Sequence, residues 1–462
     1  MSDRHLEWTV VARRAASNGI RALWHSLPLS PGAKRKLKDN IFRNLSYALR
    51  WTKSYQAWDS FNRLDDGIVQ PTSLIPDREP SSLIPDWDGD WEALIPILTG
   101  ATDGLLVVDW KPPTPDCDSG SYRMNKILDC LAETGRPLYF IGDQDVRNPA
   151  YLQSVRDKGI VTAIGRQQAV TLLMSCGAQL GTVILSRPEV TERYLPLVRA
   201  LAVRARVLYD TVDLHWVRME RGAEIAADNA AMTTAAHYKA LELANIAATD
   251  ATIAITADEK DMVLAELPAA TVHVLPNIHD ITADVPPFEQ RSGLFFIGSF
   301  GHAPNGEAVD YLVSEIMPRV SREIPDISLT IVGSNMPDAI KQLASDNLKP
   351  LGYVADIAPC FESARLFVAP LLHGAGMKGK VGQALSYGLP VVTTPVGAEG
   401  IGLSDGENVL IANDPDQLAT QILRAYRDPE LWSRLSSAGR AHIDRHFSSE
   451  VVKHSVLDLI AL

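Results

Sequence analysis

The feature that most constrains the fold is an alternation of short, almost unbroken apolar runs with segments of helical character, occurring in two successive series along the chain. In the first series the runs are GLLVVDW (104–110), PLYFIGDQ (137–144), GIVTAI (159–164), GTVILS (181–186), ARVLYDTVD (205–213), ATIAITA (251–257) and TVHVLPN (271–277). Each is a near-continuous apolar run, as expected when both faces of a sheet are covered by helices, the condition of a parallel sheet flanked by helices. Helices are expected between them at Tyr122–Thr134, Ala150–Lys158, Gln167–Cys176, from Val190, and as one long stretch from Arg218 to Ala247. A proline-containing segment, Ile281–Arg291, then separates the second series: LFFIGSF, ISLTIVGS, LKPLGYV, LFVAPLL, PVVTT and NVLIA. Its helices are expected at Glu307–Arg322, near Asp338–Ala344, at Lys380–Tyr387 and from Pro415 onward. The expected class is α/β, with two doubly wound domains facing across a cleft and ligands at the carboxyl ends of the strands. The boundaries fall at 1–100 for an N-terminal helical and irregular extension, 101–285 for the first domain and 286–462 for the second.

Composition agrees with this division. A chain of 462 residues is too long for one ordinary core, and 46% hydrophobic with 22% charged residues is the balance of a water-soluble globular protein. No run approaches the roughly 18 apolar residues that cross a bilayer, and MSDRHLEWTVVARRAA has no apolar leader, so a cytoplasmic location is expected. Cys117, Cys130, Cys176 and Cys360 are scattered without metal-ligand spacing, and free thiols with no metal are expected.

The net charge of −12 conceals an asymmetry: Arg13 to Lys53 carries ten Lys/Arg against the single acid Asp39. The remainder is strongly acidic, which opposes nucleic-acid binding. The basic segment also holds Ile20, Leu23, Trp24, Leu27, Ile41, Phe42, Leu45, Leu49 and Trp51. That pattern suits helices on an anionic membrane surface or against a partner, and equally a basic helix packed on its own protein. Residues 55–103 contain Pro71, Pro76, Pro80, Pro85 and Pro96, with Ser-Leu-Ile-Pro-Asp at both 73–77 and 82–86; this reads as a linker, the doublet being too short for a repeat architecture.

The densest glycine and lysine signal is PLLHGAGMKGKVGQALSYGLPVV (370–392), between a buried strand and a helix. Gly374, Gly376 and Gly379 let main-chain amides approach an anion, the helix adds its positive end, and Lys378 and Lys380 add charge suited to a diphosphate. The plainer alternative is a tight turn with solvent-facing lysines. A second loop of this kind is GSFGHAPN, where Gly298 and Gly301 allow close approach and His302 and Asn305 can donate to phosphate or sugar oxygens. In the first domain Ser119, Gly120 and Arg123 follow the first strand, and His215 follows the fifth with Asp213 and Arg218 as expected neighbours; packing or capping is the alternative for His215. Asp86–Asp88 and Asp143–Asp145 match a D-x-D pattern but read as solvated or capping acids.

These motifs, FFIGSFGHAPN, LTIVGS, LGYV, LFVAPL, GAGMKGKVGQALSYGLPVVTTPVGAEGI and DGENVLIANDP, in this order over about 293–446, resemble the C-terminal domain of family-four retaining glycosyltransferases. PPTPDCDSGSYRMN, SRPEV and YDTVDLHWVRMERGAE extend the resemblance more loosely into the first domain. The resemblance implies the GT-B fold of two Rossmann-like doubly wound domains. It also implies metal-independent transfer of a sugar, with retention of configuration, from a UDP- or GDP-linked donor to a glycan or lipid-linked acceptor, the nucleotide-sugar being a substrate and no cofactor being needed. The expected setting is surface polysaccharide or glycoconjugate synthesis, with peripheral contact at the inner membrane face through residues 13–53. Donor contacts are implied at Gly298, Gly301, His302, Asn305, Gly374, Ala375, Gly376, Met377, Gln383 and Glu399, the last of these alternatively a turn cap. His215, Lys378 and Lys380 are the implied catalytic residues, with Ser119, Gly120, Arg123, Asp213 and Arg218 on the acceptor side. The sequence departs from the family where a pair of glutamates is usual: Ala375 and Gln383 stand there. That departure keeps a glycosyltransferase-like binding or scaffold protein without turnover open as an alternative, with a nucleotide-sugar epimerase as a third.

Overall fold

The computed structural model describes residues 103–146, 148–374 and 376–461. The basic segment 13–53, the proline-rich stretch, the Asp86/Asp88 pair and Ala375 lie outside the described residues.

The first domain runs β1 (Gly104–Asp109), α1 (Ser119–Ala132), β2 (Leu138–Gly142), α2 (Pro149–Arg156), β3 (Val161–Ile164), α3 (Gly165–Cys176), β4 (Leu180–Ser186), α4 (Pro188–Leu201), β5 (Arg206–Asp210), α5 (His215–Ala226), α6 (Asn229–Ala248), β6 (Ala251–Ala254), α7 (Ala257–Glu266) and β7 (Val272–Val274). Its seven strands are parallel in the order β3-β2-β1-β4-β5-β6-β7. The apolar runs explain why the sheet is covered on both faces. Leu105 and Val107 pack on one side with Met124, Ile127 and Leu128 of α1, while Leu106 and Val108 pack on the other with Leu172 of α3 and Val198 of α4. Each such residue, fully buried, contributes on the order of 1.5–3 kcal/mol.

The second domain runs β8 (Leu294–Ile297), α8 (Ala303–Tyr311), α9 (Met317–Glu323), β9 (Leu329–Val332), α10 (Asp338–Lys341), β10 (Leu348–Gly352), α11 (Ala358–Ser363), β11 (Leu366–Ala369), α12 (Gly379–Ser386), β12 (Val391–Thr393), α13 (Pro395–Ala398), β13 (Leu410–Ile411), α14 (Pro415–Arg427), α15 (Pro429–Phe447) and α16 (Ser449–Ala461). Its six parallel strands follow the order β10-β9-β8-β11-β12-β13. The expected pair of doubly wound sheets is present.

Three details differ from expectation. The stretch expected as one helix from Arg218 to Ala247 is two, because Ala227 takes a left-handed conformation (φ 51°, ψ 39°) and the Asp228 side chain caps α6 through the amides of Ala230 and Ala231. The helix expected at Glu307–Arg322 widens to a π-turn at Leu312–Ile316, just before Pro318, whose ring displaces the carbonyl one turn back and whose missing amide breaks the ladder. Finally, α16 packs into the first domain: Val452, Val456, Leu459 and Ile460 join the cluster around α1. The chain therefore crosses between domains twice, and the crossings lie side by side, His279 N–H donating to Phe447 O at 2.8 Å. The outgoing connection is pinned by the buried Arg291, whose guanidinium reaches the carbonyls of Pro286, Phe361, Ala364 and Tyr387.

Candidate functional site

Loops at the carboxyl ends of β8 and β11 form the second domain's wall of the cleft. Lys380, in the first turn of α12, donates from Nζ to Asn305 Oδ1 and lies 4.8 Å from the centre of the Phe296 ring. Asn305 in turn donates to Ser299 O at 2.6 Å, so its amide orientation is fixed. Gly298 is required here, since a Cβ would lie 2.8 Å from Asn305 Cγ and 3.0 Å from Lys380 Nζ. Burial among these groups, aided by Lys378, pushes the Lys380 pKa down to about 7. Lys378 is 9% exposed, donates to Gly376 O at 2.7 Å and lies 3.6 Å from Glu399 Oε2; burial lowers its pKa although Glu399 opposes the shift. Gly374 and Gly376 have φ of 147° and 64°, conformations that demand glycine. Gln383 lies one turn beyond Lys380 on the same face of α12.

The first domain supplies the opposite wall. His215 opens α5; its Nδ1 lies 3.0 Å from Asp213 O, which can only accept, so Nδ1 carries the proton and Nε2 the lone pair. Its ring stacks on Tyr238 at 5.9 Å, and burial lowers its pKa against the pull of Asp213. Arg218 donates to Asp213 Oδ2 at 2.7 Å, making the expected neighbours real ones. Despite desolvation, His215 and Arg218 hold Asp213 below its ordinary pKa. His302, at the amino end of α8, is exposed, and its pKa is lowered by desolvation and by the charge of Arg218 against the pull of Asp213.

The walls touch. A Cβ on Gly379 would stand 2.6 Å from Ser119 Cβ, and one on Gly376 would stand 3.5 Å from Asp213 Cβ. Arg221 of α5 grips Glu399 through both guanidinium nitrogens, at 2.7 and 2.9 Å, and donates to Gly374 O at 2.8 Å. Asp116 accepts from Tyr151 of its own domain and Tyr353 of the other, and Ser334 Oγ donates to Cys117 O at 3.3 Å.

The structure thus brings together Ser119, Gly120, Asp213, His215 and Arg218 from one side and Gly298, His302, Asn305, Gly374, Gly376, Lys378, Lys380 and Glu399 from the other. Gly301 is exposed beside them. Two residues fall elsewhere. Arg123 is 1% exposed and spends its guanidinium on Asp210 (2.9 Å) and the carbonyls of Leu275 and Pro276, so it braces the sheet instead of facing an acceptor. The Met377 side chain belongs to the second domain's apolar core, with its carbonyl held by Asn277. Glu399, a candidate sugar contact, is committed to Arg221. Asp143 is taken by Arg193 and Tyr194, and Asp145 caps Val146.

Sequence reasoning missed Arg221, Arg187, Glu242 and Glu259. Arg221 had a signal: His215, Arg218 and Arg221 recur at three-residue spacing along one helix face. Arg187, at a φ of 77°, donates to the buried Asp109 at 2.8 Å, and nothing local in Ser-Arg-Pro marks that pairing. Glu259 completes the capping pattern Thr256-x-x-Glu259, legible in retrospect.

Residues 291–428 match the model of the family described as glycosyl transferases group 1. An uncharacterised 44.6 kDa protein of the cps region of Klebsiella pneumoniae is 26% identical, over 35% of this chain and 44% of its own length. A phosphatidyl-myo-inositol mannosyltransferase of Mycolicibacterium smegmatis is 29% identical, over 34% of this chain and 43% of its own. The chain spans less than half the length of these curated relatives. Anabaena HepE, solved in complex with UDP-glucose, superposes with a TM-score of 0.59 over 78% of this chain and 99% of its own, at 13% identity, a likeness of fold. Among the described residues, no helix is long and apolar enough to cross a membrane. Residues 291–428 thus match the glycosyl transferases group 1 family, within a chain whose two facing parallel sheets have the GT-B fold.

Proposed function

We propose that the protein is a glycosyltransferase that takes a sugar from a UDP- or GDP-linked donor, without a metal and with retention of configuration, and places it on a glycan or lipid-linked acceptor. The observation that carries this reading is the convergence across one cleft of Lys380, Asn305 and Lys378 with Asp213, Arg218 and His215, the loop at Gly376 lying against Asp213. The donor's diphosphate would lie against the amides of 374–379, with the ammonium groups of Lys378 and Lys380 beside it. As the bond from the anomeric carbon to phosphate breaks, charge develops on the diphosphate, and fixed cations in a dry site stabilise it most at that moment. In a front-face reaction the acceptor oxygen bonds the same carbon while its proton passes to the departing phosphate oxygen. His215 Nε2, with its lone pair free by the Nδ1–H geometry, then serves as acceptor for a sugar hydroxyl and need not remove a proton. The mannosyltransferase relative and the cps-region relative favour a role in glycolipid or surface-polysaccharide synthesis.

The reading is tested by screening nucleotide-sugars for thermal stabilisation, then measuring hydrolysis or transfer with the stabilising donor. Lys378→Ala is expected to lower kcat/KM by roughly 10- to 100-fold, about 1.4–2.8 kcal/mol of barrier. Binding without turnover across a broad acceptor set would instead support the scaffold reading, which Gln383 favours by replacing a carboxylate. The basic segment 13–53 is proposed to bring the chain to anionic lipid; equal flotation of the full chain and a chain beginning near residue 100 with anionic liposomes would remove that idea.

A further inference from the structure

The turn that carries Asp213 and His215 is strained. Residues 211–214 join β5 to α5, and Val212 holds a φ of 65°, a region that a β-branched residue enters only where its surroundings over-determine it. The amides that follow it are held by a pair of buried glutamates, Glu242 and Glu259, whose pKa values burial raises to about 8 and about 7. Leu214 N–H donates to Glu259 Oε1 at 3.1 Å, His215 N–H to Glu242 Oε1 at 3.3 Å and Trp216 N–H to Glu242 Oε2 at 2.9 Å. Three successive amides at the amino end of α5 thus end on two side chains from α6 and α7, exposed by only 0% and 3%. Each carboxylate is itself anchored: Tyr209 O–H donates to Glu242 Oε1 at 3.3 Å, and Ile255 N–H to Glu259 Oε2 at 3.2 Å.

Burying an acidic side chain is costly even where burial keeps it protonated, and a helix start on the surface would satisfy these amides with water. The arrangement is explained if the turn must be rigid. Its outer side is the seat of the glycine-rich loop, since a Cβ at Gly376 would stand 3.1 Å from Glu259 Oε1 and 3.5 Å from Asp213 Cβ. The ring of His215 is set by the same main chain, because its Nδ1–H is held by Asp213 O at 3.0 Å.

We propose that Glu242 and Glu259 are positioning residues that lock the 211–214 turn, and with it the Asp213–Arg218 pair and the His215 ring, in the orientation that faces the diphosphate loop. Neither touches the reacting atoms. The consequence for turnover rests on the glycosyltransferase reading; the consequence for His215 does not. Glu242→Gln keeps one oxygen acceptor but opposes an amide donor with an NH2 group, and Glu242→Ala removes both acceptors.

The test measures turnover of the stabilising nucleotide-sugar, the Kd of UDP or GDP, and the ring-nitrogen signals of His215 in protein labelled with 15N-histidine. In the wild type His215 is expected as the Nδ1–H tautomer. In Glu242→Gln the tautomers are expected to mix and kcat to fall at least tenfold, with a larger fall in Glu242→Ala, while nucleotide affinity changes less than threefold. Unchanged His215 signals and unchanged kcat in the folded variants overturn the proposal, as does a loss of nucleotide affinity parallel to the loss of kcat, which marks general damage. If the wild type itself turns over no donor, the functional reading fails, and the tautomer together with nucleotide affinity decides the positioning role. If Glu242→Gln does not fold, Tyr209→Phe, which removes only the hydroxyl supporting Glu242, is expected to act in the same direction to a smaller degree, and no change in His215 overturns the proposal.

Discussion

Lys380 is the residue whose chemistry the fold alters most directly. An exposed lysine titrates near 10.5, whereas burial beside Lys378 brings this one to about 7. The ligand-free protein therefore carries a partly neutral amine near neutrality, and a diphosphate placed against it restores the ammonium. The sign follows: at pH 8, nucleotide diphosphate binding takes up close to one proton, and affinity weakens as pH rises above about 7 by up to roughly tenfold per pH unit. Titration calorimetry in two buffers of different ionisation enthalpy measures the uptake directly. Lys380→Arg, charged throughout, should abolish it, and equal apparent enthalpies for the wild type would refute the assignment. The sequence pointed to Lys380 through its glycine-rich loop between a strand and a helix, but that pattern alone left a tight turn with solvent-facing lysines equally open; its burial beside Asn305 and Lys378 was not legible. Arg123 was not legible as a brace, because its partners Asp210 and Leu275 lie 87 and 152 residues away and no local pattern announces them.

At the scale of elements, the helix bearing Lys380 is aligned by its contact with the interdomain crossing. A Cβ on Gly382 of α12 would fall 2.3 Å from Nε2 of His279, a buried ring beside the point where the chain returns to the first domain. Gly382→Ala must displace either the helix or the crossing, at a cost of about 1–3 kcal/mol typical of overpacking. Urea unfolding should show a lower midpoint, and adding His279→Ala should recover part of the loss; additive effects of the two changes would mean that the contact is not the cause. The strands were readable in advance, since an unbroken apolar run leaves a doubly covered strand few alternatives. The α5/α6 break escaped because a left-handed Ala227 has no sequence mark and the helix-start signal of Asp228 beside it went unread, and the placement of α16 escaped because Val452, Val456 and Leu459 declare an apolar face without declaring which core receives it.

For the whole molecule, the question is what holds the cleft shut when no ligand bridges it. The bidentate Arg221–Glu399 pair is a direct bond across it, reinforced by Arg221 to Gly374 O and by the Asp116–Tyr353 contact. The pair is 32% and 26% exposed, so solvent screens it and its worth stays near the upper end of surface pairs, about 1 kcal/mol, with the fork geometry and the carbonyl bond adding to that. A bias of this size shifts a closed–open equilibrium about fivefold without locking it. Glu399→Gln removes the charge and one half of the fork, and it also releases Lys378 from its neighbour at 3.6 Å. The ligand-free variant should therefore populate longer distances between spin labels at exposed positions 203 and 343, one in each domain, once Cys117 and Cys360 are replaced by serine. Nucleotide diphosphate should pull the distribution back, because its phosphates supply Lys378 with the anion that Glu399 no longer provides. A distribution unaffected by Glu399→Gln would mean that packing of Ser119 on Gly379, rather than the ion pair, keeps the domains together.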